Sequence, residues 1–253
     1  MKTVKIPYDL YHDEQDDYDL TVIIPVYNEQ DNLYRVEEVF LNYFPTAIKK
    51  TKVLFVNDGS TDNSLEIIKD ICHRNPEFEY LCFEGNCGLS AAIKAGFDNV
   101  KTVLTGYIDA DLQTTPSDFN LLLEHIEHYE MVTGIRGNRQ DSPIKKISSK
   151  MANGIRRAFT NDGMQDTGCP LKIIKTDYAK RIPMFEGLHR FLPAMIMLQQ
   201  GRVKQVPVSH YPRIAGTAKF GLSNRLLGPL ADCFAYLWMK RKYIHYSLIV
   251  SND

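Results

Sequence analysis

The sequence predicts an α/β fold with a mainly parallel sheet, helices on both of its faces, and amphipathic helices at the C-terminus. Short, almost continuously apolar runs alternate with stretches of helical length through the first half of the chain, the pattern of strands buried on both faces. Strand–helix–strand repetition then implies right-handed crossovers, which make neighbouring strands parallel.

The elements follow in order. Leu20–Val26 reads as the first strand and Asp31–Tyr43 as the helix after it. Val53–Val56 is the second strand, followed by a helix over Ser64–Cys72 for which Asp62, Asn63 and Ser64 are candidate caps. Tyr80–Phe83 and Val103–Ile108 are the next strands, with a helix at Ser90–Asn99 between them. Past Gly134 the pattern loosens. Arg136–Ser149 is polar and basic and contains Pro143, so it reads as a loop; Lys150–Thr160 is helical, and Leu171–Ile174 and Val203–Val208 are further strands. Pro212–Gly221 is a second polar loop, and Ser223–Lys242 an amphipathic helix broken near Gly228-Pro229. Without a repeat or a low-complexity linker, the simplest division is an N-terminal extension (1–19), one domain (20–221) and an amphipathic segment (222–253).

Composition narrows the function classes. A chain of 253 residues, 44% apolar and 24% charged, is that of a folded protein. Its formal net charge of −1 argues against a nucleic-acid partner. The five cysteines form no CxxC pair, which disfavours a zinc site or a disulfide framework and suits reduced thiols. The acidic N-terminus lacks the apolar core of a signal peptide. The nearest approach to a spanning segment, Leu226–Met239, is too short and carries Asp232. These features predict a cytoplasmic protein that meets a membrane only at its surface.

In a parallel sheet, ligands bind beyond the carboxyl ends of the strands. The first four strands end in Pro25-Val26-Tyr27-Asn28-Glu29, in Asn57-Asp58-Gly59-Ser60, in Gly85-Asn86-Cys87-Gly88 and in Asp109-Ala110-Asp111-Leu112-Gln113. Turn or cap chemistry explains any one of these sets; it explains four at one edge poorly. In an extended segment Asp109 and Asp111 point the same way. Two such carboxylates repel unless a hard cation, Mg²⁺ or Mn²⁺, bridges them to substrate phosphates.

These blocks resemble the family-2 glycosyltransferases of the GT-A fold, and within them the dolichol- and polyprenyl-phosphate sugar synthases. The resemblance rests on PVYNE (25–29), NDGSTD (57–62), GNCGLSAAIKAG (85–96), DADLQ (109–113), DTGCPLK (166–172), HRFLPAM (189–195) and RIAGTAKFG (213–221). It implies a metal-dependent, inverting transfer of a hexose from a GDP-mannose- or UDP-glucose-type donor to a polyprenyl phosphate. Pro25, Tyr27 and Glu29 would contact the nucleoside, Asp58 the base and Asp109 the ribose. Asp111 and Gln113, with Asp109 beside them, would hold the metal. Asn57 stands where the family often has an acid.

An acceptor phosphate is already ionised and needs cations rather than a general base. Arg136, Arg139, Lys145, Lys146 and Ser149 in one basic loop, and Arg213 and Lys219 in the other, supply candidates. By resemblance Arg136, Lys145, Ser149 and Arg213 grip the lipid phosphate, and Asp111, Arg136 and Arg213 form the candidate catalytic set. Arg139 and Lys146 read equally well as solvated loop residues, and Ala218 stands where related enzymes often carry Ser. Asp166 either belongs to the acceptor site, orients a basic loop residue or caps a turn. His189 reads as a structural histidine and Cys169 as a small buried residue.

The C-terminal helix sets Leu222, Leu226, Leu227, Leu230, Phe234, Leu237 and Trp238 at helical spacing before Lys240-Arg241-Lys242-Tyr243. That is what an interfacial helix presents to headgroups on the inner face of a membrane; packing on the core or on a second copy of the chain would use the same stripe. Two other functions remain in view: transfer to a hydroxyl of a saccharide or glycolipid, and non-catalytic nucleotide-sugar binding.

Overall fold

The computed structural model describes residues 17–137, 154, 156–212 and 227–244. Seven strands form one sheet: β1 (Leu20–Val26), β2 (Thr51–Asn57), β3 (Phe78–Cys82), β4 (Leu104–Tyr107), β5 (Met131–Arg136), β6 (Lys172–Lys175) and β7 (Val203–Val208), in the order β3-β2-β1-β4-β6-β5-β7. Every pairing is parallel except those of β6, which runs antiparallel to β4 and β5. The sequence places β1 and β7 at their observed limits and most other strands within one or two residues. It does not separate β5, whose last residue, Arg136, opens the polar stretch that the sequence presents as a loop. Gly134 interrupts the apolar pattern there because a Cβ at that position would lie 2.6 Å from Val208 Cγ2 and 2.8 Å from Cys169 Sγ.

Helices α1 (Gln30–Tyr43), α2 (Ser64–Arg74), α3 (Leu89–Asn99), α4 (Phe119–Leu123), α5 (Thr176–Lys180), α6 (Leu192–Leu198) and α7 (Leu227–Lys242) cover both faces. The alternation of β1 shows how. Leu20, Val22, Ile24 and Val26 pack with α1, α2 and α4 in one core, whereas Ile23 packs with α3, α5 and α6 in the other. Helix α3 lies close on β1 because residue 96 is glycine: a Cβ there would sit 2.6–2.9 Å from the Ile23 side chain.

Helix α7 runs unbroken from Leu227 through Gly228 and Pro229 to Lys242, and the rest of the expected helix, residues 223–226, lies outside the described residues. Its inner face places Cys233 and Tyr236 in the second core, with Tyr236 stacked on Phe191 at 5.9 Å. Its outer face leaves Leu230, Phe234 and Trp238 exposed, the last two at 59% and 66%. Among the described residues no helix is long and apolar enough to cross a membrane.

Candidate active site

Strands β1 to β4 are mutually parallel, so their carboxyl ends share one edge and bring the four polar sequence blocks together. The loops there are locked to one another. Asn28, in the left-handed region at φ 51°, donates its backbone N–H to Ser60 Oγ (3.0 Å) and accepts from Thr61 N–H at its side-chain oxygen (2.7 Å). Glu29 N–H donates to Ser64 Oγ, and Glu29 itself accepts from Asn32. Pro25 lies in β1 opposite Val56 of β2, and Tyr27 directly follows the strand.

Asp58 is buried and turned toward the loop after β3. Its carboxylate accepts from Asn86 Nδ2 (2.9 Å), Cys87 N–H (2.6 Å) and Gly88 N–H (2.9 Å). A negative group at the start of α3 is also favoured by the helix dipole. Three of the roughly four acceptor positions of a carboxylate are thereby engaged, so Asp58 holds the loop that walls the site. Gly59 permits the approach: at φ 64°, a Cβ would lie 2.3 Å from the Gly85 carbonyl carbon. Asn57 works beside it, accepting from Ser60 N–H and donating to Cys82 Sγ.

The two acidic residues after β4 are not presented by an extended segment, as strand alternation would have it. Strand β4 ends at Tyr107, and residues 109–112 form a turn in which Leu112 N–H donates to Asp109 O (3.4 Å) and Leu112 has φ 50°. Each carboxylate is held separately. Asp109 accepts from the Tyr107 hydroxyl at 2.7 Å, and Asp111 from Gln113 N–H at 3.1 Å. Burial, and next the charge of Asp111, push the Asp109 carboxyl up to about 6. Gln113 is tied to the segment after β7: its carbonyl oxygen accepts from Tyr211 N–H at 2.8 Å, and its amide nitrogen makes a long contact to Tyr211 O at 3.5 Å.

Arg136, the last residue of β5, forms a two-pronged pair with Asp166, Nε to Oδ2 and Nη2 to Oδ1 each at 2.8 Å. Two of the three readings open for Asp166 hold together: it orients Arg136, and its Oδ1 caps a turn by accepting Gly168 N–H at 3.1 Å. His189 accepts from or donates to Ser90 Oγ at 2.8 Å, and burial, then the charges of Arg190 and Lys172, pull its imidazole down to about 3. Cys169 is fully buried, with its thiol raised by burial. Lys145, Ser149, Arg213 and Lys219, with Arg139, Lys146 and Ala218, lie outside the described residues.

Two residues at this edge escaped the sequence reading. Tyr107 positions Asp109, and Lys172 lies across from it on β6. Lys172 is fully buried, with its ammonium 5.6 Å from the Tyr107 ring centre and bonded to Cys169 O. Burial pulls it below the ordinary lysine range, and the neighbouring Cys169, Asp166 and Asp109 draw it back. The available signal was a lone lysine inside the apolar run Leu171–Ile174.

Residues 21–182 match the profile of the family described as "Glycosyl transferase family 2". Among curated proteins, the chain is similar to undecaprenyl-phosphate 4-deoxy-4-formamido-L-arabinose transferase of Edwardsiella ictaluri, 32% identical over 218 residues, which covers 85% of this chain and 67% of the relative. It is also similar to dodecaprenyl-phosphate galacturonate synthase of Rhizobium johnstonii, 27% identical over 247 residues, covering 95% and 73% of the two chains. Its fold is shared by solved structures. These include glucosyl-3-phosphoglycerate synthase of Mycobacterium tuberculosis with Mn²⁺, UDP and product (TM-score 0.67, 13% identity, 88% of this chain and 80% of that one). The mannosyltransferase of Pyrobaculum calidifontis with GDP-mannose and Mn²⁺ is another (TM-score 0.63, 16% identity, 96% and 70%).

Proposed function

The chain belongs to glycosyl transferase family 2, and from that premise we propose that it moves a hexose from a nucleotide sugar to a polyprenyl phosphate with inversion at the anomeric carbon. The observation that carries the donor side is the Asp109/Asp111 pair at the shared strand edge, where burial and mutual charge have raised Asp109. The acceptor class is supported by two curated relatives that are both named for polyprenyl-phosphate substrates. A basic residue held ready at the same edge, Arg136, adds to that support.

The donor set fits a hard divalent cation, Mg²⁺ or Mn²⁺. Among the described residues no cluster of three or more His, Cys, Asp or Glu side chains could hold an ion alone, so substrate diphosphate oxygens would complete its shell. Asp109, Asp111 and Gln113 are the protein groups that would hold it. Such an ion, when bound, offsets the charge that gathers on the departing diphosphate.

In this reading Pro25, Tyr27 and Glu29 contact the nucleoside. Asp58 keeps the 85–88 loop in place and meets the base only with its remaining acceptor capacity. Arg136, with Lys145, Ser149, Arg213 and Lys219, aligns the acceptor phosphate opposite the leaving group. No residue has to remove a proton, because the phosphate is already ionised. Its oxygen forms the new bond to the anomeric carbon as the bond to the diphosphate breaks, and the electron pair leaves with the nucleoside diphosphate. Residues 20–221 carry this chemistry, while 222–253 places the enzyme on the inner face of a membrane, where the lipid tail resides.

The test is incubation with a panel of nucleotide sugars and a short polyprenyl phosphate, with Mn²⁺ or with chelator. A β-linked polyprenyl-phosphate sugar and free nucleoside diphosphate are expected only with the metal. Equal transfer to saccharide hydroxyls, or transfer that ignores the chelator, overturns the reading.

A further inference from the structure

Behind the acidic turn, on the sheet face covered by α3, lies a row of buried polar groups drawn from three strands. In the antiparallel registers Lys172 stands directly opposite Tyr107 on one side and Thr133 on the other, so the three side chains share a face. Tyr107 donates its hydroxyl to Asp109. Thr133 is fully buried, and its hydroxyl has no hydrogen-bond partner among the described residues. Lys172 carries three donors and, among the described residues, makes a hydrogen bond to one acceptor, Cys169 O.

A buried ammonium with one acceptor is a poor structural choice, since an apolar side chain of the same volume is commonly as stable or more so. Cross-strand packing on the Tyr107 ring does not by itself require a charge. What the position does supply is a cation that acts on Asp109, whose carboxylate is opposed by that of Asp111. It stands across from Tyr107, which bonds Asp109, and it is buried beneath the turn's edge rather than exposed at it.

We propose that Lys172 is a positioning residue that acts as the built-in counter-charge of the Asp109/Asp111 pair, keeping the acidic turn from capturing a divalent cation before the nucleoside diphosphate arrives. The inference rests on the donor-site reading above. The Arg136 and Asp166 charges nearby are paired with each other, so with Lys172 in place two carboxylates and one ammonium leave a site of modest charge that binds metal weakly by itself. Diphosphate and metal together satisfy it, so the two ligands bind cooperatively. Without the ammonium the turn becomes a dianionic site that favours metal alone and repels metal-free diphosphate.

The experiment measures binding rather than turnover. Mn²⁺ affinity is read by electron paramagnetic resonance with and without UDP or GDP, and metal-free UDP and GDP affinity by calorimetry. The proteins are the parent chain, Lys172→Met and Lys172→Gln, the second retaining a donor for Cys169 O should the first fail to fold. Loss of one nearby charge in a partly buried site is expected to tighten Mn²⁺ alone by about tenfold, to weaken metal-free nucleotide, and to leave the melting temperature unchanged or raised. Opposite shifts in the two affinities are a signature that general damage to the site does not produce. Affinities of a folded variant within twofold of the parent, or both falling together, overturn the proposal. A parent chain that binds no Mn²⁺ even with nucleotide present overturns the donor-site reading itself, and this inference with it.

Discussion

Asp111 and Asp109 occupy the same turn but are held by different partners, and their substitutions are expected to differ accordingly. Asp111 accepts the backbone N–H of Gln113, a contact that asparagine can keep through its side-chain oxygen while losing the charge a metal needs. Asp111→Asn should therefore fold normally and lose transfer. Near-parental turnover of a folded Asp111→Asn protein with Mn²⁺ would remove Asp111 from the metal site. Arg136 is more entangled. Its pairing with the buried Asp166 means that Arg136→Ala strands a carboxylate as well as removing a cation, at a cost to stability of about 3 kcal/mol. Asp166→Asn removes the counter-charge of Arg136 in its turn, but it leaves the cation in place and keeps a side-chain oxygen for Gly168 N–H, so it probes how Arg136 is positioned for the acceptor. It should weaken use of the lipid phosphate about tenfold, in line with a lost charge-assisted contact, and spare nucleoside diphosphate affinity measured by calorimetry. His189 gives a pH dependence. Its folded value of about 3 lies below the ordinary 6.5, so below pH 6.5 the unfolded chain takes up a proton that the folded chain refuses. Stability supplied by the neutral imidazole is complete above pH 6.5 and declines as pH falls toward 3, by at most about 1.4 kcal/mol per pH unit. Denaturant melts of His189→Gln should show a flatter acid limb than the parent; parallel limbs would disprove the assignment.

At the scale of elements, α7 has two apolar faces with different duties. Cys233 and Tyr236 close the second core, whereas Leu230, Phe234 and Trp238 face outward one turn apart. Lys240, Arg241 and Lys242 follow at the same end. The sequence reading left core packing and membrane docking as alternatives for one stripe; the helix has a separate face available for each. Phe234 also meets Phe159 edge-on at 5.2 Å, so exchanging Leu230, Phe234 and Trp238 for Gln should lower the melting temperature only slightly while reducing binding to anionic liposomes sharply. In the parent, high salt should weaken that binding without abolishing it, because each basic residue near an anionic surface contributes about 1 kcal/mol that salt screens while apolar insertion persists. Unaltered liposome binding by the triple variant would show that the outer face does not meet lipid.

For the whole molecule, the same duality makes α7 part of the fold. Deleting residues 222–253 uncovers Phe191, which stacks on Tyr236, and leaves Arg190 without Asp232, its partner at 3.5 Å. The truncated chain is expected to melt several degrees lower, an effect of about 1–2 kcal/mol on a domain of this size. A shortened chain that melts with the parent would mark residues 222–253 as a detachable appendage. The sequence by itself determined the alternation of strands and helices, the common edge to which four polar blocks are delivered, and the acidic pair at the end of β4. These are local patterns: apolar runs, turn residues and short motifs are legible wherever the chain's own neighbours decide the outcome. Only the tertiary structure decided that Asp109 and Asp111 sit in a turn and that Asp58 faces the 85–88 loop. The same holds for the capture of Arg136 by Asp166 and the burial of Lys172 beneath Tyr107. The turn is local, closed by Leu112 N–H on Asp109 O, but it overrides the alternation that strand geometry leads one to expect. The other three depend on residues about 30 or more positions apart meeting in space, and the place of Lys172 also depends on β6 running against its neighbours, which no run of consecutive residues encodes.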